Sequence, residues 1–185
     1  MTHRTGPPPA GLPDGLLVRR TLGGDPDSFG TLVERYRAQF ARYAASLCGD
    51  ADLAADAMQE AFIRAYEALE TCRDPERFGS WFFRILTNQC HNHRDRRRVH
   101  VPLEKVTAVG TTRTDDDVRR AEIREAVGRG LDALTPEQRE AFVLRQLEDR
   151  SYAEIEAMTG VGVDALKMRV YRAREIMKEY LENLL

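Results

Sequence analysis

Apolar positions in this chain recur mostly at intervals of three and four residues. From Asp27 onward Phe29, Leu32, Val33, Tyr36, Phe40 and Tyr43 follow that spacing, which gathers them on one stripe of an amphipathic helix and marks the stripe as core. Leu53, Ala57, Ala61 and Ala65 then repeat every fourth residue, with Met58, Phe62 and Tyr66 alongside. The spacing predicts a second helix over about 51–69. Pro75 biases Asp74 away from the helical region and breaks that pattern. An aromatic helix starts at Phe78, with Phe78, Trp81 and Ile85 as its expected buried stripe. Far downstream, Val163, Leu166, Val170, Ala173 and Met177 form the seam of a last helix over about 163–181.

The intervals between these segments carry their own signals. Residues 99–117 contain Pro102, Gly110, four Thr and Asp115-Asp116-Asp117 without a sustained period, as expected of a flexible linker. Thr135-Pro136-Glu137-Gln138 places a capping residue, a proline at the first helical position and a glutamine three residues after the cap. Ser151-Tyr152-Ala153-Glu154 repeats the capping-box arrangement, and Thr159-Gly160-Val161-Gly162 supplies a turn before the last helix. Together these starts describe a helix-turn-helix. The opening Gly6-Pro7-Pro8-Pro9-Ala10-Gly11 suits neither a helix nor a central strand. The expected organisation is all-α: a flexible tail over 1–24, a helical domain over 25–98, a linker over 99–117 and a second helical domain over 118–185.

Composition narrows the picture. At 185 residues and 42% hydrophobic content, the chain can hold one domain or two small ones with thin cores. Cys48, Cys72 and Cys90 are odd in number and lack C-x-x-C spacing, which indicates neither a disulfide framework nor a zinc finger and favours a reducing compartment. The longest apolar run near the start, Leu16-Leu17-Val18, is too short to span a membrane or direct export, so a cytoplasmic protein without direct membrane insertion is expected.

The formal charge of −2 conceals a segregation along the chain. Asp52, Asp56, Glu60, Glu67 and Glu70 face a single Arg64, whereas Arg84 to Arg98 holds five arginines against Asp95. One face then suits a basic partner and another suits nucleic acid. The basic run, with Arg84, His91, Arg94 and Arg97, follows Trp81, Phe82 and Phe83. Rings stack on unpaired bases and guanidinium groups neutralise phosphates, so this combination fits a strand held open. Phe82 and Phe83 cannot share the direction of Trp81, and Phe82 is the expected ring lining a melted strand. In the last helix Asp164, Met168, Tyr171 and Arg172 lie opposite the seam, with Lys167 and Arg169 on its flanks, the side offered to a major groove.

Several motifs occur together in order: Asp56-Ala57-Met58-Gln59-Glu60-Ala61-Phe62-Ile63-Arg64-Ala65, Phe78-x-x-Trp81-x-x-Arg84-Ile85-x-x-Asn88, Leu134-Thr135-Pro136-Glu137-Gln138-Arg139, and Lys167-x-Arg169-x-x-Arg172-Ala173-Arg174-Glu175. Over about residues 27–181 the chain resembles an extracytoplasmic-function sigma factor of bacterial RNA polymerase. The resemblance implies sigma domains two and four, with core polymerase, promoter DNA and an anti-sigma factor as partners and no cofactor or metal. It further implies that Asp56, Gln59, Glu60 and Arg64 contact core polymerase. The loop Glu70 to Arg77, with Thr71, Cys72 and Arg73, would capture a flipped base of the minus-ten element, and Asn88 would lie beneath it. Lys167, Met168, Arg169, Tyr171 and Arg172 would contact minus-thirty-five DNA. The chain departs from the family at position 72, where an aromatic is common and Cys72 stands here, so no base preference carries over.

Two other classes bear on the same residues. His91-Asn92-His93 spells the letters of a nuclease motif, but on a helix the two histidines point to different sides, and no enzyme is expected. A stand-alone helix-turn-helix regulator would need a sensor domain, whereas the first domain carries the acidic and aromatic-basic helices instead.

Overall fold

The computed structural model describes residues 11–100 and 115–182, with side chains described except at 98–100 and 115–117. The described residues form helices α1 (Asp14–Leu22), α2 (Pro26–Cys48), α3 (Ala51–Glu67), α4 (Phe78–His100), α5 (Asp115–Ala133), α6 (Pro136–Phe142), α7 (Tyr152–Thr159) and α8 (Val163–Leu181), with no strand among them. Tight 3₁₀ turns over Leu69–Thr71 and Pro75–Arg77 join α3 to α4, and a wider π-type turn over Val143–Leu147 follows α6. The chain divides into two compact units, Met1–Arg94 with Ala157–Gly160, and Asp95–Glu156 with Val161–Leu185.

In the first unit local chemistry sets the helix starts. Pro26 occupies the first turn of α2, where its missing N–H costs no hydrogen bond. The Asp50 carboxylate accepts from the Asp52 and Leu53 amides and caps α3. The apolar stripe of α2 packs against α3, and Phe29, Leu32, Tyr36, Phe40 and Tyr43 are all buried. Rings from α4 fill the space between them. Phe82 stacks on Phe62 with centroids 4.5 Å apart, and Phe83 lies 5.0 Å from Tyr43 and 5.5 Å from Phe40. The Tyr43 hydroxyl satisfies itself on Thr87 Oγ1 at 3.0 Å.

Three expectations are corrected in this unit. The tail expected over 1–24 contains α1, whose Leu17 and Val18 are fully buried; residues 1–10 lie outside the described residues. The Asp14 carboxylate ties α1 to α2 by accepting from both Arg35 and the Tyr36 hydroxyl. Burial and that bond to Asp14 together push the Tyr36 hydroxyl pKa well up. Secondly, Phe82 is in the core and cannot line a strand, as is Phe83; Trp81 and Ile85, expected at the centre of the seam, are only half-buried. At 100° per residue, the buried positions of α4 from Phe78 round to Thr87 span about 180°, because the helix is covered on two sides. Thirdly, Arg94 is buried and donates to the Leu47 carbonyl at 2.9 Å near the end of α2, so it supports the fold instead of facing phosphate.

Cys48 and Cys90 are free, buried thiols in hydrogen-bond contact with each other, and Cys72 is free and buried separately. The shared hydrogen bond with Cys48, then burial, drives the Cys90 pKa far up.

The second unit follows its sequence signals closely. Thr135 Oγ1 accepts from the Gln138 amide at 3.3 Å while Gln138 Oε1 accepts from the Thr135 amide at 3.1 Å, the reciprocal capping box. Ser151 and Glu154 repeat it at 3.2 and 2.8 Å. Gly160, at φ +74°, turns the chain between α7 and α8. Leu166, Val170, Ala173 and Met177 form the buried seam of α8 against α5 and α6, and Ile155 and Leu144 are buried as well. Arg139 is buried and donates to the carbonyls of Leu131 and Leu134 at 2.7 and 3.2 Å, closing the end of α5. Of the expected linker, 99–100 continue α4 and 115–117 begin α5; 101–114 lie outside the described residues.

Candidate nucleic-acid and protein interfaces

Four alanines and Phe62 point inward from α3 and leave its opposite side free. Asp52, Asp56, Gln59, Ile63 and Glu67 share that outer stripe, within about 80° at 100° per residue, and all are exposed. Glu60 and Arg64 lie at its edge in a network with α4. Arg64 Nη2 donates to Glu60 Oε1 at 2.7 Å, and Glu60 Oε2 lies 2.8 Å from His93 Nε2. Oriented to satisfy both ends, the Gln89 amide donates to Glu60 at 3.2 Å and accepts from Arg64 at 3.0 Å. Hydrogen bonds from Arg64 and then His93 hold the Glu60 carboxyl below its ordinary pKa. Asp56 and Gln59 are thus free to meet a partner, while Glu60 and Arg64 are already braced by the fold. Ile63, half exposed in the middle of the stripe, was missed because its spacing does not join the inner stripe and its type does not suggest surface. Beside this face, Arg37, Ala41, Ala45, Ala51, Ala55 and Gln59 line an apolar groove of about 380 Å³ between α2 and α3.

The loop 68–77 presents Glu70, Thr71, Arg73 and Arg77 outward. Cys72, expected on its reading face, turns inward; its thiol donates to the Asp74 carbonyl at 3.5 Å, and burial followed by Asp74 raises its pKa. Position 72 is therefore an anchor of the loop. The Asp74 carboxylate accepts from the Glu76 amide at 3.2 Å and shapes the turn before α4.

On α4, Arg84, Asn88 and His91 share one stripe; Arg84 and Asn88 are exposed and His91 is half-buried. Trp81, half-buried with its ring 5.6 Å from Phe78, borders Asn88 on the helical wheel. Arg96 and Arg97 are exposed farther round the same helix. Arg94 and Phe82 are absent from this surface, both being buried.

On α8, Lys167, Met168, Tyr171 and Arg172 are exposed, Met168 at 51% and Tyr171 at 60%. Lys167 makes only a long 3.5 Å contact to exposed Asp164, too weak to withdraw it from solvent. Arg169 is half-buried on the flank; burial raises the pKa of Glu140, and the Arg169 charge offsets only part of that rise.

The family described as Sigma-70 region 2 matches residues 32–99, and Sigma-70, region 4 matches residues 124–177. The ECF RNA polymerase sigma-E factor of Escherichia coli strain K12 is 30% identical over 94% of this chain and 97% of that protein. The RNA polymerase sigma-H factor of Pseudomonas aeruginosa is 32% identical over 93% of this chain and 95% of its own length. Among solved structures, CnrH in complex with the cytosolic domain of CnrY superposes with a TM-score of 0.62 at 26% identity, covering 93% of this chain and 99% of that one. The sigma factor RpoE of Bartonella quintana, solved with the anti-sigma factor NepR, shares the fold at a TM-score of 0.53 and 24% identity, over 83% and 96% of the two chains.

Proposed function

This chain belongs to the extracytoplasmic-function sigma factors of bacterial RNA polymerase, and on that premise we propose how its surfaces divide the work of promoter recognition. The outer stripe of α3, with Asp56, Gln59 and Ile63, docks on core polymerase, and Glu60 and Arg64 hold that stripe in register through His93 and Gln89. The loop 70–77, through Thr71 and Arg73, takes up an unpaired base of the minus-ten element. Arg84, Asn88 and His91 then follow the separated strand along α4, and Trp81 takes the stacking role that the buried Phe82 leaves open. Lys167, Met168, Tyr171 and Arg172 meet minus-thirty-five duplex across the major groove.

Base capture supplies the driving force for opening. Extruding a base costs a few kcal/mol, and stacking that returns about 1–3 kcal/mol per base offsets much of it. Polymerase performs the chemistry; this chain positions DNA. An anti-sigma factor is the proposed inhibitor, supported by its presence in the complex of the related RpoE. Among the described residues no helix is long and apolar enough to cross a membrane, which suits a protein that works on polymerase in the cytoplasm.

The carrying observation is the exposed α3 stripe, whose edge residues Glu60 and Arg64 are braced by Gln89 and His93 of α4. It is what a stand-alone regulator would have no use for. Gel filtration with bacterial core RNA polymerase is expected to give a one-to-one complex, and Asp56→Ala with Gln59→Ala is expected to weaken it without changing the melting curve. Failure of the folded, inhibitor-free chain to co-elute would return the protein to the class of independent DNA-binding regulators.

A further inference from the structure

We infer that α1 is the seat of the minus-ten loop, and that Gly15 and Arg19 are positioning residues for base selection through their hold on Glu76. This rests on the proposed role of residues 70–77. The starting point is an anchor outside the loop. Leu17 and Val18 are fully buried, and Asp14 is bonded to both Arg35 and Tyr36 of α2. Helix α1 is thereby fixed to the core of its unit, and it packs against both 3₁₀ turns that flank the loop.

Glu76 makes the connection. Its carboxylate lies over Gly15, where any Cβ would collide with Oε1, Cδ and Oε2 together. That position is in the first turn of α1, where the helix macrodipole favours an anion. Arg19, one turn on, donates to Glu76 Oε1 at 3.0 Å. The pair is exposed, with 56% and 59% of the two side chains accessible, so alone it would contribute little. Its use comes from combination: the Glu76 amide is held by the Asp74 carboxylate, and the Asp74 carbonyl receives the Cys72 thiol. The chain of contacts runs from the core through α1 and Glu76 into the loop that carries Thr71 and Arg73.

An alanine at position 15 would push out the end of a flexible, exposed side chain. The fold should survive and the seat should be lost. Glu76→Ala removes the same contact from the other side without touching a buried atom.

The test uses holoenzyme made from the full chain and bacterial core polymerase. The probe is fork-junction DNA, duplex upstream and single-stranded on the non-template strand, with the unpaired positions randomised and bound molecules sequenced. Gly15→Ala and Glu76→Ala are each expected to relax discrimination at one position by about two- to fivefold, the scale of one exposed anchoring contact. Arg73→Ala should alter that same position. The Gly15→Ala/Glu76→Ala double variant should match either single variant, because both act on one contact. Co-elution with core polymerase should be unchanged in all of them. A profile identical to wild type in both single variants, or effects that multiply in the double variant, would overturn the role of α1 alone. A flat profile from the wild-type holoenzyme would remove base capture by the loop, and the inference with it.

Discussion

Helices α4 and α8 bear the proposed DNA contacts of their units, yet they bury themselves in different ways. The buried seam of α8, from Ala173 to Val170, covers about 60° at 100° per residue, while that of α4 covers about 180°. With a narrow seam, whatever is not apolar at three-four spacing faces outward, and Met168, Tyr171 and Arg172 do. With a wide seam the same rule fails. Phe82 and Phe83 point in different directions and both are buried; Arg94 is charged and is buried too. The kind of residue says where a side chain can go, whereas the number of neighbouring elements decides how much of the helix they cover.

The sharpest way to break this comparison is to remove a ring from the wide seam. Phe82→Ala takes away the stacks on Phe62 and Phe78 and should destabilise the first unit by about 3–5 kcal/mol. Calorimetry should show its transition falling while that of the second unit stays. A native-like melt would mean that Phe82 carries little of the core. Arg94→Ala should come next, at about 1–3 kcal/mol, since it strands the buried Leu47 carbonyl. Its signature is a stability loss with an unchanged salt dependence of promoter binding by holoenzyme. A reduced salt slope would put Arg94 back among the phosphate contacts.

The smallest effect concerns Glu60. Its folded pKa lies below the ordinary value through Arg64 and His93, so ionised Glu60 stabilises the fold above the unfolded-state pKa, and that contribution fades as pH falls through the lowered folded value. The melting temperatures of wild type and Glu60→Gln should therefore differ at neutral pH and converge in acid. A constant difference across that range would mean that the carboxylate charge is not what links α3 to α4.

Legibility followed the range of the causes. The capping boxes at Thr135 and Ser151, the apolar stripe of α2 from Phe29 to Tyr43 and the face of α8 depend on residues a few positions apart, and all could be read directly. Helix α1 could not. It spans nine residues behind Pro13, has no side-chain cap, and exists because Leu17 and Val18 find a pocket made by distant parts of the chain. Arg94 read as surface charge because only the fold reveals the carbonyl that receives it. Cys72 read as a changed base contact because local pattern does not tell an inward-facing loop residue from an outward one. At α3 the acidic stripe was legible, while the clasp of Glu60, Gln89 and His93 joins residues about thirty positions apart.

All three thiols of this chain are sealed inside its first unit, two of them against each other. Alkylating reagents must reach the sulfur, and all three are buried; Cys72 and Cys90 also have raised pKa values and so offer little thiolate, whereas Cys48, whose pKa its bond to Cys90 lowers, is shielded by burial alone. The native protein should therefore be nearly inert to such reagents until it opens, and each labelled cysteine would timestamp an opening event. Because none of the three lies in the second unit, the chain carries an intrinsic clock for the breathing of one half, silent about the other.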